Sequence, residues 1–194
     1  MKIPLRYQIT EYDCGQASVL NALSHVFERE EIPADLLRIF FRQTLDKIGH
    51  DGRVGDGGTS SAAINDLKKF INSYAIVNRF AIHAEHVRGV AVTEKLLREN
   101  ANENSAVVIS CLECWQSPSS HYVLITKIVG NDVYIFDPYY IEKHQYAKDE
   151  AIEIITDTPK THNRIVKIDR IMNSEGNMSM GEINQREVLI ISKA

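Results

Sequence analysis

Cysteine is scarce in this chain, with three among 194 residues. An odd, small number in a chain of this length excludes a disulfide framework. In a reducing compartment burial is the usual explanation for each. No apolar run approaches the roughly 18 residues of a membrane span. The N-terminus, MKIPLRYQIT, lacks the apolar core and small-residue cleavage site of a signal peptide. The expectation is a cytoplasmic protein with no membrane span. Basic residues are not in excess: Lys+Arg 22 stand against Asp+Glu 26, for a net charge of −4. That argues against nucleic acid as a partner, because such binding needs a basic face. There is no internal repeat and no GxxxxGK[ST] nucleotide loop. What remains is an ordinary globular composition, 44% hydrophobic and 25% charged, of a length that suits one domain over residues 1–194.

The hydrophobic periodicity changes character along the chain. Ala17, Leu20, Leu23 and Phe27 recur at helical spacing and predict a helix over 14–28. Pro33 opens a second helix, to residue 48, with Leu36, Leu37, Phe40 and Phe41 as its apolar face. A glycine-rich loop, HDGRVGDGGTSS, follows at 50–61. Thr59 or Ser60 caps a third helix carrying Ile64, Leu67, Phe70 and Ile71. A fourth is expected near Thr93–Asn100. Beyond it the texture is that of strands: 106–110, a hairpin of 121–129 and 132–137 turning at Gly130-Asn131, then 163–168 and 187–192. The polar stretch 172–186 reads as a mobile loop. Helices followed by strands imply an α+β fold, a helical half of about 1–104 on an antiparallel sheet of about 105–194.

One stretch asks for a chemical explanation. In RYQITEYDCGQASVLNAL, Cys14 stands where the first helix begins. A thiol reacts as thiolate, and a free pKa of about 8.5 leaves little thiolate at neutral pH. A helix N-terminus places about half a positive charge and unpaired N–H groups beside the sulfur, and both favour the anion. Asp13 with Gln16 three residues on has the form of a capping box. Gly15 would let a substrate carbonyl approach, the Cys14 N–H could donate to a developing oxyanion, and Gln8 could supply a second donor. The competing reading is a small buried cysteine in a first helical turn.

A base would decide between them, and there are seven histidines. His25 lies in the first helix and His50 in the glycine-rich loop. His83 and His86 could share a helix face as a surface feature, and His144 and His162 fall in polar stretches. His121 differs, because it opens an apolar strand after a Ser-rich turn. Asp137 closes the partner strand and Pro138 ends it. A helix-start cysteine, a strand-start histidine and an acid on the next strand can form a nucleophile, a base and an orienter.

Taken together, Gln8, Asp13-Cys14-Gly15-Gln16-Ala17, Gly58-Thr59-Ser60, His121-Tyr122-Val123 and Asp137-Pro138 resemble the bacteriocin-processing peptidase family. These are papain-like cysteine peptidases that cut after double-glycine leaders. The resemblance spans roughly Arg6 to Tyr140. It implies a papain-like fold with a cleft between helical half and sheet. It further implies Cys14 as nucleophile, His121 as general base and acid, Asp137 as orienter and Gln8 as oxyanion donor. The substrate class implied is a peptide or protein, cleaved with no metal or cofactor. On the same triad, an amine acceptor in place of water would give an acyltransferase or transglutaminase-type enzyme, and a side-chain amide substrate a deamidase.

The hairpin carries a geometric condition. A two-residue turn at Gly130-Asn131 pairs residues whose numbers sum to 261. Asp137 then faces Leu124, three residues and roughly 10 Å from His121. The triad requires a bulge, a longer turn, or strands that diverge before His121.

Two further readings stand beside the enzyme. A non-catalytic peptide-binding module on the same fold would not need Gln8 or Asp137. Cys111-Leu112-Glu113-Cys114 is a CxxC that could be redox-active or half of a zinc site, but as a zinc site it would have to recruit His121 or His144. Trp115, the only tryptophan, could shelter the cleft or fill the core. Oligomeric state is not legible in the sequence.

Overall fold

The computed structural model describes residues 1–113, 119–140, 149–158 and 160–194. Cys114, Trp115 and His144 lie outside the described residues. Three helices come first, α1 (Cys14–Val26), α2 (Ala34–Gln43) and α3 (Ser61–Asn78). Next are β1 (Ile82–Arg88), α4 (Glu94–Asn100), β2 (Ser105–Glu113), β3 (Ser119–Val129) and β4 (Asp132–Phe136). The chain closes with β5 (Ile152–Ile154), β6 (Arg164–Lys167), the short α5 (Ile168–Ile171) and β7 (Glu187–Lys193). Among the described residues the strands form one seven-stranded sheet in the order β1-β7-β2-β3-β4-β6-β5, every neighbouring pair antiparallel.

The continuous apolar runs of β2, β3 and β7 follow from burial on both faces. Ala106, Val108, Tyr122, Leu124, Leu189 and Ile191 share a core with Leu20, Leu23, Phe40, Ile64 and Leu67 of α1–α3. The alternate residues Val107, Ile109, Val123, Ile125, Val188 and Ile190 join Leu97 of α4, Ile168 and Ile171 of α5, and Met178 and Met180. The sheet is therefore a middle layer.

Local chemistry accounts for the helix ends. Ser60 Oγ accepts from the Ala63 N–H at 3.0 Å, so of the two residues expected to cap the third helix Ser60 is the one that does, and Thr93 Oγ1 caps α4 by accepting from the Leu96 N–H at 3.1 Å. α2 stops at Gln43 rather than 48. Thr44 turns its hydroxyl onto the Phe40 carbonyl, Leu45 takes φ +59°, and Lys47 pairs with Gly55 and Gly58 inside a closed loop.

Two stretches differ from the sequence reading. Ile82–Arg88 is an edge strand on β7, so His83 and His86 are not on a helix. His86 is not a surface feature either: its side chain is buried against Glu187, Nε2 to Oε1 at 2.7 Å. In 172–186, Met178, Ser179 and Met180 are buried. Leu112 donates to the Ser179 carbonyl at 2.7 Å and accepts from the Met178 N–H at 2.9 Å. Two methionines filling the second core hold this segment in place.

Candidate active site

Cys14 is the first residue of α1 and is half-buried. The helix is fastened to the sheet directly beneath it, where Ser18 Oγ donates to the Tyr122 carbonyl at 2.8 Å. Gly15 is a packing requirement, not an opening for substrate. A Cβ there would sit 2.6 Å from Thr59 Oγ1 and 3.2 Å from Tyr122 Cδ2. The glycine lets the GGT turn and the β3 tyrosine close on the start of α1.

Asp13 occupies the N-cap position without capping. Its carboxylate instead accepts from Ile9 N–H at 3.0 Å, Thr10 N–H at 2.6 Å and Thr10 Oγ1 at 2.6 Å. Gln16 donates to Thr44 Oγ1 at 2.9 Å, so the expected capping box does not form. Asp13 organises the 8–12 loop, leaving the helix N-terminus to the sulfur and whatever lies in front of it.

That loop carries Gln8. Its backbone N–H donates to the Pro138 carbonyl at 2.9 Å, which brings it beside the segment that follows Asp137. One Nε2 proton is given to the Thr10 carbonyl at 2.7 Å, and an amide nitrogen has a second. Oε1 is buried and has no hydrogen-bond partner among the described residues. Further back, Asn21 of α1 brackets Arg6, accepting its N–H at 2.7 Å and donating to its carbonyl at 2.9 Å. The N-terminal strap is thereby tied to both α1 and the end of β4.

The condition on the hairpin is met by a bulge. Pairs sum to 261 from Val129↔Asp132 to Lys127↔Tyr134, then to 260 at Ile125↔Ile135 and Leu124↔Phe136. The extra residue is Thr126, whose hydroxyl donates to the Tyr134 carbonyl at 3.2 Å. Continued past the strand end, the shifted register brings Asp137 level with Val123, one residue nearer His121. β4 ends at Phe136, which frees the Asp137 side chain to turn.

His121 Nε2 and Asp137 Oδ1 are 2.8 Å apart, with the two side chains 4% and 0% exposed. Cys14 acts on the same ring from the start of α1. Burial alone would lower the imidazole pKa. The Asp137 charge and hydrogen bond, and then Cys14, outweigh it and hold His121 well above its usual value. Burial likewise pushes Asp137 up, and His121 followed by Arg164 brings it below the ordinary carboxylate value.

Of the residues expected at the site, Cys14, His121 and Asp137 come together, and Gln8 lies on the adjoining strap. The other described histidines go elsewhere. His25 meets the Asn102 carbonyl at 3.1 Å, and His162 stacks edge-on against Tyr134. Cys111 is buried opposite His121 in the β2–β3 ladder and donates to its carbonyl at 3.4 Å. Among the described residues no three His, Cys, Asp or Glu side chains gather as a metal site.

Three neighbours are not legible as site residues in the sequence. Asn163 accepts the Asp137 N–H at 2.8 Å and donates to the Asp137 carbonyl at 2.7 Å. Arg164 places Nη2 3.8 Å from Asp137 Oδ2. Glu187 hydrogen-bonds His86 at 2.7 Å, and burial followed by the Glu187 charge keeps the Tyr122 hydroxyl strongly protonated. A signal for Arg164 did exist: it is in phase with Val166 on the inward face of its strand, where a charge is rarely left alone.

The fold is α+β, a mixed helix and antiparallel-sheet architecture with a cysteine on the helical side and a His–Asp pair on the sheet. Among solved structures the chain is similar to a double glycine motif protease from an AMS/PCAT transporter, crystallised in complex with the leader peptide. The two share 14% identity and a TM-score of 0.44 over 100% of this chain and 93% of that one. No family model matches the sequence, and no curated protein does. No helix among the described residues is long and apolar enough to cross a membrane.

Proposed function

We propose that this protein is a papain-like cysteine peptidase, or a related amide acyl-transfer enzyme, acting on a peptide or protein. The observation that carries the reading is the position of His121, with Asp137 at 2.8 Å on one ring nitrogen and Cys14 among the groups that act on the ring. A raised imidazole pKa beside a thiol favours the thiolate–imidazolium pair over the neutral pair. The motif resemblance around Cys14, His121 and Asp137 assigns the same roles.

In this mechanism the Cys14 sulfur attacks the amide carbonyl carbon and a C–S bond forms. The oxyanion is met by the Cys14 N–H at the α1 terminus and by the second Nε2 proton of Gln8. His121 delivers its proton to the leaving nitrogen as the C–N bond breaks. Water, deprotonated by His121, then attacks the thioester and releases the acid and the free thiol. An amine in place of water gives transfer. The rim offers apolar contacts to such a chain, since Tyr7, Ile9, Tyr12 and Tyr140 are all exposed.

The experiment is a peptide-library digest with wild type beside Cys14→Ala. Products from wild type alone are expected. Equal products from both would remove Cys14 from the chemistry.

A further inference from the structure

We propose that Arg164 is a positioning residue of this site, the buried cation that completes an alternating series of thiolate, imidazolium, carboxylate and guanidinium. The inference rests on the triad reading above.

Arg164 is 2% exposed, a rare location for a guanidinium, and Asp137 beside it is fully buried. Asp137 Oδ1 is occupied by His121 Nε2 and by the Tyr139 N–H, both at 2.8 Å. Oδ2 has no hydrogen bond among the described residues, and the guanidinium at 3.8 Å is its electrostatic counterpart. Arg164 is steered there by donating to the Asn163 carbonyl at 2.8 Å and the Tyr139 carbonyl at 3.4 Å. One dipeptide, Asn163-Arg164, therefore holds the acid's backbone with its first residue and faces the carboxylate with its second.

Without Arg164 the buried Asp137 carboxylate loses the cation facing Oδ2 and takes a proton more readily. A protonated Asp137 ceases to stabilise the imidazolium, and the thiolate is disfavoured with it. Among the described residues the titratable groups near this series include Asp13, next to Cys14 and held by the Ile9 and Thr10 N–H groups, Tyr122, kept protonated by burial and Glu187, and Tyr7, whose hydroxyl meets Asn163 Nδ2 at 3.5 Å; Tyr139 takes part through its backbone.

The test is iodoacetamide alkylation of Cys14, read by peptide mapping without substrate, in wild type, Arg164→Met, Arg164→Gln and Arg164→Lys. The expected result is that the Met and Gln variants lose about tenfold in rate at about pH 6 and little at about pH 9. Arg164→Lys should keep most of the wild-type ratio. Equal pH 6 to pH 9 ratios in wild type and the neutral variants would overturn the proposal, and so would a uniform loss at every pH. If both neutral variants fail to fold while Lys folds, Arg164 is a folding requirement and the positioning role falls. If wild-type Cys14 shows no enhanced rate at about pH 6, the triad reading itself fails and takes this inference with it.

Discussion

Asn163 brackets Asp137 from both sides of one residue, accepting its N–H at 2.8 Å and donating to its carbonyl at 2.7 Å. The carboxylate that meets His121 is thus anchored by a neighbouring strand before any charge is considered. Asn163→Ala leaves a buried N–H and a buried carbonyl unpaired, each worth about 1–3 kcal/mol. Urea unfolding should show a loss of about 2–6 kcal/mol, and any peptidase activity of the residual folded protein should have a lowered kcat/KM. Unchanged stability would mean that water takes over both contacts.

Gly15→Ala tests the closure of α1 on the GGT turn. The new Cβ would meet Thr59 Oγ1 at 2.6 Å and Thr59 Cβ at 2.7 Å. Both residues lie in tightly packed surroundings, so overpacking of about 1–3 kcal/mol is expected. The denaturation midpoint should fall, and Cys14 alkylation should slow because α1 carries the sulfur. A variant as stable as wild type would contradict the packing role and return Gly15 to the part of an opening for substrate.

The His121–Asp137 pair predicts a pH-dependent stability with a definite sign. His121 has a raised folded value, so its contribution is complete below the ordinary imidazole value and is lost as pH rises through the raised one. Asp137 has a lowered folded value, so its contribution is present above the ordinary carboxylate value and is lost as pH falls through the lowered one. The stability gap between wild type and Asp137→Asn should be widest between about pH 4 and about pH 6.5. It should narrow on either side. Urea midpoints across a pH series measure it, and a gap that does not vary with pH would contradict the pairing.

Much of this site is legible in residues that do one local thing. A cysteine at the start of a periodic apolar stretch does begin α1, and Ser60 and Thr93 do cap their helices. Counting along the hairpin even exposes the need for an irregularity, which is the bulge at Thr126. The illegible parts depend on partners distant in sequence. Asp13 has a capping residue's chemistry, but the Ile9 and Thr10 N–H groups compete successfully for its carboxylate. β1 has few apolar residues in its seven and becomes a strand because β7 lies alongside it, from the other end of the chain. The roles of Arg164 and Glu187 depend on Asp137 and His86, partners that only the fold brings beside them.

The most direct measurement is the alkylation of Cys14 by iodoacetamide at about pH 6, located by peptide mapping, in wild type and His121→Ala. Buried Cys111 serves as the unreactive internal comparison. The account predicts that wild type reacts at least about tenfold faster than His121→Ala, because the imidazolium favours the reactive thiolate. Equal rates in the two proteins would show that His121 does not activate Cys14, and the proposed mechanism would be wrong.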